Sequence, residues 1–298
     1  PLFARRCFLA PYRKNSDRIM SLTNIRQGSL VLVDAARVQS RGAIYVAQAR
    51  IRQMMKWIWM IIGIAIANPV LYLISVGVGL GGLIDQSVGP AGVDGVKYLT
   101  FLAPALLAQA AIQGTMDETI YPTLEGFKWH KTFYSMNSTP LSGAQISYGV
   151  FLTALFRAFY TVVLYFGVMW AFGALESPRA WLAIPTAIFA GASFGALMQA
   201  MAGKLEDENI FFVVLGRFVM MPLFMFSGTF FPLTSMPFFL QWIGWISPLW
   251  HATELGRHLT YGHTISPTMI WVHFIFLGIM LVAGLFFSAR IFTKRLAK

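Results

Sequence analysis

Six apolar runs constrain this chain more than any other feature. They cover residues 57–80, 98–116, 146–173, 181–203, 210–226 and 268–291, and each offers about the 20 residues that a helical bilayer crossing needs. Hydrocarbon offers no water to unpaired backbone groups, so runs of this kind must satisfy their own hydrogen bonds as helices. The expected fold is therefore all-α, a polytopic membrane protein of six transmembrane helices. Composition agrees: 12% of the 298 residues are charged, against roughly 25% in a soluble domain.

The charges also give an orientation. Lys and Arg number 23 against 12 Asp and Glu, a net +11. Eleven of the basic residues stand before Trp57, and seven more lie in the 117–145 loop, at Lys204 and from Arg290 onward; the alternate loops hold Lys97, Arg179 and Arg257. Positive charge collects on the cytoplasmic side, so both termini and the 117–145 loop are expected there, in a multi-pass cell-membrane protein. Topology accounts for the basic excess, and no nucleic-acid partner is called for. Residues 1–42 read as a cytoplasmic arm, 57–291 as the transmembrane domain and 292–298 as a cytoplasmic tail. Residues 43–56 read as an amphipathic interfacial helix. Ile44, Ala47, Ile51, Met54 and Met55 lie on one side of it, with Arg50, Arg52, Gln53 and Lys56 on the other.

Residues 226–257 are apolar yet broken by Gly228, Pro232, Pro237, Gly244 and Pro248, which forbid one straight spanning helix. Three forms remain open: a re-entrant element beside a pathway, a pair of short helices lying at the interface, or a long aromatic interfacial loop with no special role.

Signs of chemistry are few. No phosphate-binding GxxxxGK[ST] loop, HExxH pair or serine-hydrolase elbow occurs. Cys7 is the one cysteine, which leaves no disulfide and no cysteine zinc cluster. The chain is thus read as no enzyme, with no catalytic residue, metal site or cofactor of its own. His251, Glu254 and His258 share a helical face but read as polar interface residues, with Glu254 and Arg257 as a local ion pair. Gly77–Gly82 lacks the lysine of a phosphate loop and reads as a close-packed helix end, and Gly191 with Gly195 as a helix-packing face. Arg157 and Arg217 lie inside spans, about 16 and about 10 Å deep at about 1.5 Å per residue. With no acidic residue expected in a span to neutralise them, they either line a pathway for an anionic headgroup or snorkel to the interface. In the 117–145 loop, Asp117 and Glu118 suit a helix start. Phe127, Trp129, Phe133 and Tyr134 form an exposed aromatic face that favours a protein partner.

This plan resembles the ABC-2 family of exporter permeases over roughly residues 40–295. The most specific match runs from Ser227-Gly228 through Phe231-Pro232 and Pro248-Leu249-Trp250-His251 to a helix ending at Arg257. Residues 68–81 and 98–127 are similar to the nodulation lipo-oligosaccharide exporter branch, with drug and polysaccharide exporter permeases more distant. The resemblance implies a transmembrane permease subunit of an ATP-binding-cassette exporter. It would move a lipid-linked, glycolipid, oligosaccharide or drug-like amphipathic substrate outward by alternating access. It implies a second permease copy (a homodimer) among membrane lipids, and a separate ATPase subunit that holds ATP and magnesium. The 117–145 loop, with Glu118, Phe127, Trp129, Phe133 and Tyr134, would be the coupling element seated in that ATPase. Arg157 and Arg217 would stand on the substrate pathway. Residues 228–258 would form a re-entrant outer hairpin acting as a gate, with breaks at Gly228, Pro232 and Pro248 and headgroup anchors at Trp242, Trp245 and Trp250. Two rivals fit less well. A membrane-embedded transferase on lipid-linked substrates lacks an acid/base pair at defined spacing, and an ion-coupled secondary transporter lacks acidic residues in its spans and an inverted repeat.

Overall fold

The computed structural model describes residues 35–89, 92–205 and 211–297; most of the expected N-terminal arm and the acidic run at 206–208 lie outside them. Among the described residues the chain is all-helical, with one isolated bridge between Val93 and Val96.

Helix α1 (Ala35–Met55) begins ahead of the expected boundary at residue 43. Its buried stripe is Gly42, Val46, Arg50 and Met54 at every fourth position, while Ile44 and Met55, expected on the inward face, are exposed. The cause is a neighbouring helix: a side chain at Gly149 would collide with Val46, so the two backbones meet closely along that stripe. Helix α2 (Ile58–Ser87) carries Pro69. The proline offers no N–H to the ladder, and the helix widens to π geometry over Leu73–Leu80 directly after it. Gly77 in that stretch leaves the space that the Leu99 side chain fills.

Helix α3 (Tyr98–Trp129) is the axis of the bundle. Of its most apolar stretch 78% is buried, against 22% for α2. It continues past Met116, where the span is expected to end, through a turn at Ile120 and π geometry over Glu125–Trp129. A short α4 (Thr132–Asn137) follows, and then α5 (Gly143–Ala171), started by a reciprocal cap between Ser142 and Gln145. Helix α6 (Ala180–Lys204) brings Gly191 and Gly195 against α3. A Cβ on Gly191 would stand 2.6 Å from the Ala111 carbonyl oxygen, and Thr115 Oγ1 donates to the Gly191 carbonyl at 2.8 Å. Small residues let the backbones touch, and a hydroxyl ties them.

Helix α7 (Leu215–Phe226) is shorter than the long apolar helices, so among the described residues five helices are long and apolar enough by themselves to cross a membrane. Helices α8 (Phe238–Trp245) and α9 (Pro248–Thr260) follow, and α10 (Pro267–Leu296) closes the bundle against α6. The ends of the bundle differ. At one, Val46, Phe127, Phe133, Ile146, Phe292 and Leu296 form an aromatic core joining α1, α3, α4, α5 and α10. At the other, residues 92–97, the turn after α5 and residues 227–263 pack together.

Candidate functional site

Between α1, α2, α3 and α5 lies a cavity of about 1000 Å³. Arg157 projects from α5 into its wall and meets α3: Nη1 donates to Glu118 Oε1 at 2.8 Å and Nη2 to Asp117 Oδ2 at 2.9 Å. Gln113 Nε2 donates to the other Asp117 oxygen at 2.9 Å. Nearer α1, Arg50 Nη2 lies 3.6 Å from Glu125 Oε2, and burial holds the Arg50 guanidinium below its ordinary value although Glu118 and Glu125 pull it back. Away from these groups the lining is mostly apolar, with Met60, Ile61, Ile64, Leu106 and Phe224, and Asn68 and Gln109 among them.

These contacts correct two expectations. Arg157 is not an unneutralised cation, because α3 carries two carboxylates into the bundle and its apolar pattern continues beyond them. Glu118 is not at a helix start but inside α3, with its side chain mostly buried. Residue type was visible in the sequence; the partnership, across forty positions, was not. Arg217 stands apart from the cavity, exposed on α7 beside exposed Phe218.

The aromatic set at the α3–α4 junction divides. Phe127 and Phe133 are buried edge-to-face at 5.0 Å, with Phe127 packed on Phe292 at 4.7 Å and Arg295 over its ring at 4.4 Å. Only Trp129 and Tyr134 are exposed. The expected exposed face of four is therefore a face of two laid over a core of two, because α4 folds back against α10 and needs apolar contacts beneath it.

At the opposite end, residues 227–247 form a broken hairpin. Gly228 adopts φ +73°, a left-handed conformation that favours glycine. Ser227 Oγ bonds Ser247 Oγ at 2.6 Å and the Leu223 carbonyl. Pro232 precedes one 3₁₀ turn, and Pro248 opens α9 at a position where no amide donor is needed. Arg257, 1% exposed, holds the element in place. Its Nη2 donates to the Gly228 carbonyl at 2.6 Å, its Nε to the Phe101 carbonyl at 3.4 Å, and its guanidinium sits 3.7 Å above the Phe101 ring. Nη1 pairs with Glu254 at 3.2 Å. Trp242 and Trp245 are exposed, but Trp250 is not an outward anchor: it is buried among Leu233 and Met236, because α9 turns that face to the hairpin. His251 faces His273 at 2.7 Å, and His258 bonds the His263 carbonyl, so the His251, Glu254 and His258 side chains turn to separate partners.

A second polar chain leaves Glu254. His263 Nε2 lies 3.4 Å from Glu254 Oε2, its Nδ1 lies 2.6 Å from Asp94 Oδ2, and the Tyr261 hydroxyl donates to the same Asp94 oxygen at 2.8 Å. The hydrogen bond to Glu254 pushes the His263 pKa up; burial opposes it, and the Glu254 and Asp94 charges add to the rise.

The model of one protein family, described as ABC-2 type transporter, matches residues 42–261. The chain belongs to that family. Nodulation protein J of Rhizobium leguminosarum bv. viciae is 28% identical over 240 residues, covering 78% of this chain and 86% of the relative. Nodulation protein J of Rhizobium meliloti is 26% identical over 232 residues, covering 78% and 85%. The probable multidrug ABC transporter permease YbhR of Escherichia coli is 29% identical over 182 residues, covering 59% of this chain and 47% of that protein. The family match to this ABC-2 permease begins in α1 and ends at Tyr261, so it contains the cavity and the hairpin with its Arg257 contacts and stops before α10.

Proposed function

We propose that this chain is the transmembrane permease subunit of an ATP-binding-cassette exporter. It would move an amphipathic cargo outward by alternating access while a separate ATPase subunit binds ATP and magnesium. Membership of residues 42–261 in the ABC-2 family carries the reading, and the different constructions of the two bundle ends support it.

In this reading the chain crosses the cell membrane six times, with residues 210–226 as the fifth crossing. The basic residues put both termini in the cytoplasm, and α1 lies at the inner interface. The α3–α4 junction docks on the ATPase: Trp129 and Tyr134 make the contact, Phe127 and Phe133 stiffen it from beneath, and Glu118 ties it to Arg157. Closure of the ATPase pair moves that junction, and the permease passes between states that bind cargo differently. The hairpin at 228–258 re-enters the outer leaflet and gates the exit. Gly228, Pro232 and Pro248 set its bends, Trp242 and Trp245 sit among the headgroups, and Trp250 packs the hairpin onto α9. A second copy of the permease covers the exposed apolar faces of α2 and α7, including Arg217. The relatives named nodulation protein J and multidrug permease support a cargo of lipo-oligosaccharide, glycolipid or drug-like kind.

Co-expression with an ATPase subunit of the ATP-binding-cassette class tests the reading. The two should co-purify, and ATP hydrolysis should rise when both are present in liposomes. Transport by this chain alone, or failure of the pair to associate, refutes it.

A further inference from the structure

We infer that the cavity between α1, α2, α3 and α5 takes the polar end of an amphiphile whose headgroup donates hydrogen bonds and carries no negative charge. The inference rests on the exporter reading and narrows its cargo.

The first argument is the charge on the wall. Its charged side chains are Arg50 and Arg157 against Asp117, Glu118 and Glu125, an excess of one negative charge. A phosphate would need a guanidinium with free donors, since a forked pair of N–H bonds is what makes arginine a phosphate receptor. Both terminal nitrogens of Arg157 are already bonded to carboxylates, and Arg50 lies beside Glu125. A phosphate on the N–H groups that remain would stand beside those carboxylates in a site where water screens little, and one that displaced a carboxylate would leave it buried and unpaired.

The second argument is the set of acceptors left over. Asp117 uses both oxygens, but Glu118 Oε2 has no hydrogen bond among the described residues. Gln109 Oε1, in the same wall, is buried without a partner. Two vacant acceptors call for a donor. Hydroxyl and ammonium groups both supply one, whereas a phosphate dianion supplies none. A hydroxyl would also accept from Arg50 Nε, a buried donor without a partner on a side chain that is 8% exposed. The apolar half of the cavity and the exposed Trp57 and Trp129 in its lining suit the rest of an amphiphile.

The test uses the full chain in phosphatidylcholine nanodiscs and three probes with the same brominated dodecyl tail: a maltoside, a primary amine and a phosphate. Quenching of Trp57 and Trp129 reports binding, with the Trp57→Phe/Trp129→Phe variant as background. The maltoside or the amine should bind at least about tenfold tighter than the phosphate, a difference of about 1.4 kcal/mol. Which of the two leads identifies the donor as hydroxyl or ammonium. The double variant Asp117→Asn/Glu118→Gln keeps the side-chain volumes and frees Arg157, so phosphate should then gain about tenfold and the amine should lose. Tightest binding of the phosphate by the wild-type chain overturns the inference whether or not the variant folds, and so does quenching by none of the probes. An ATPase that fails to associate, with the headgroup preference intact, sinks the exporter reading alone.

Discussion

Replacing Arg257 with methionine keeps the length of the side chain and removes the guanidinium that joins the hairpin to α3. Four contacts go: the bonds to the Gly228 carbonyl at 2.6 Å and to the Phe101 carbonyl at 3.4 Å, the pair with Glu254 at 3.2 Å and the stacking 3.7 Å above Phe101. A hydrogen bond to a charged group contributes about 1.5–3 kcal/mol, and a desolvated cation–π contact about 2 kcal/mol. The terms do not add, because methionine repacks on Phe101 and Glu254 keeps His263. The net loss should be about 3 kcal/mol, at the lower edge of what removing one partner of a buried pair costs. That is about a hundredfold rise in local opening. Amide exchange in nanodiscs reads it directly, since the amides of Met236, Leu240, Ile246 and Ser247 bond within the hairpin. Their protection should fall about a hundredfold in Arg257→Met while α6 keeps its own, and Arg257→Lys should fall between, because an ammonium cannot reproduce the fork. Hairpin protection within about threefold of wild type would refute the reasoning. An equal loss in α6 would do so too, since it would make Arg257 a general stability residue rather than a latch.

Three further outcomes follow from the same geometry. Phe133→Ala should cost about 3–5 kcal/mol in thermal unfolding, because the ring is fully buried, whereas Trp129→Ala should leave the melting point unchanged and weaken ATPase co-purification; matching melting points would refute the division of the aromatic set. Gly191→Ala should destabilise by about 1–3 kcal/mol through the clash with the Ala111 carbonyl, while Gly167→Ala, with open space around it, should not. His263 carries a raised pKa, so its contribution is complete below its ordinary value of 6.5 and is lost as pH climbs through the raised one. The melting-point difference between wild type and His263→Gln should therefore be largest near pH 6 and shrink toward pH 8, and a constant difference would refute the link to Asp94 and Glu254.

How much was legible in the sequence follows from the range of each interaction. Helical class and the close approach at Gly191 and Gly195 are local patterns, and they read correctly. So did the break at Gly228 and the pair of Glu254 with Arg257, three residues apart. Helix limits read less well where polarity was taken for an end: Asp117 and Glu118 looked like the start of a loop, yet their charge is met by Arg157 on another helix, and α3 runs on to Trp129. Burial misled in the same way. The polar segment around Phe127 and Phe133 points to a surface, and the preference of tryptophan for headgroups points Trp250 to the interface. The structure instead packs all three against residues distant in sequence. Periodicity shows which side of a helix is apolar; it does not show what covers it.

That limit bears most on α3, the least apolar of the five long helices. Near its start, Phe101 supplies the ring and the carbonyl that hold Arg257. Sixteen positions later, about 24 Å along the axis, Asp117 and Glu118 hold Arg157, and Glu125 beyond them faces Arg50. Pro104 lies between, and a Cβ on Gly256 would stand 3.0 Å from its ring. One buried helix therefore carries the partners of the hairpin latch and of both cavity arginines. A tilt or shift of α3 as one element would move the contacts at both ends together. The acidic pair needs no separate structural purpose: it fixes the position of α5 on α3 at the point where the cavity opens.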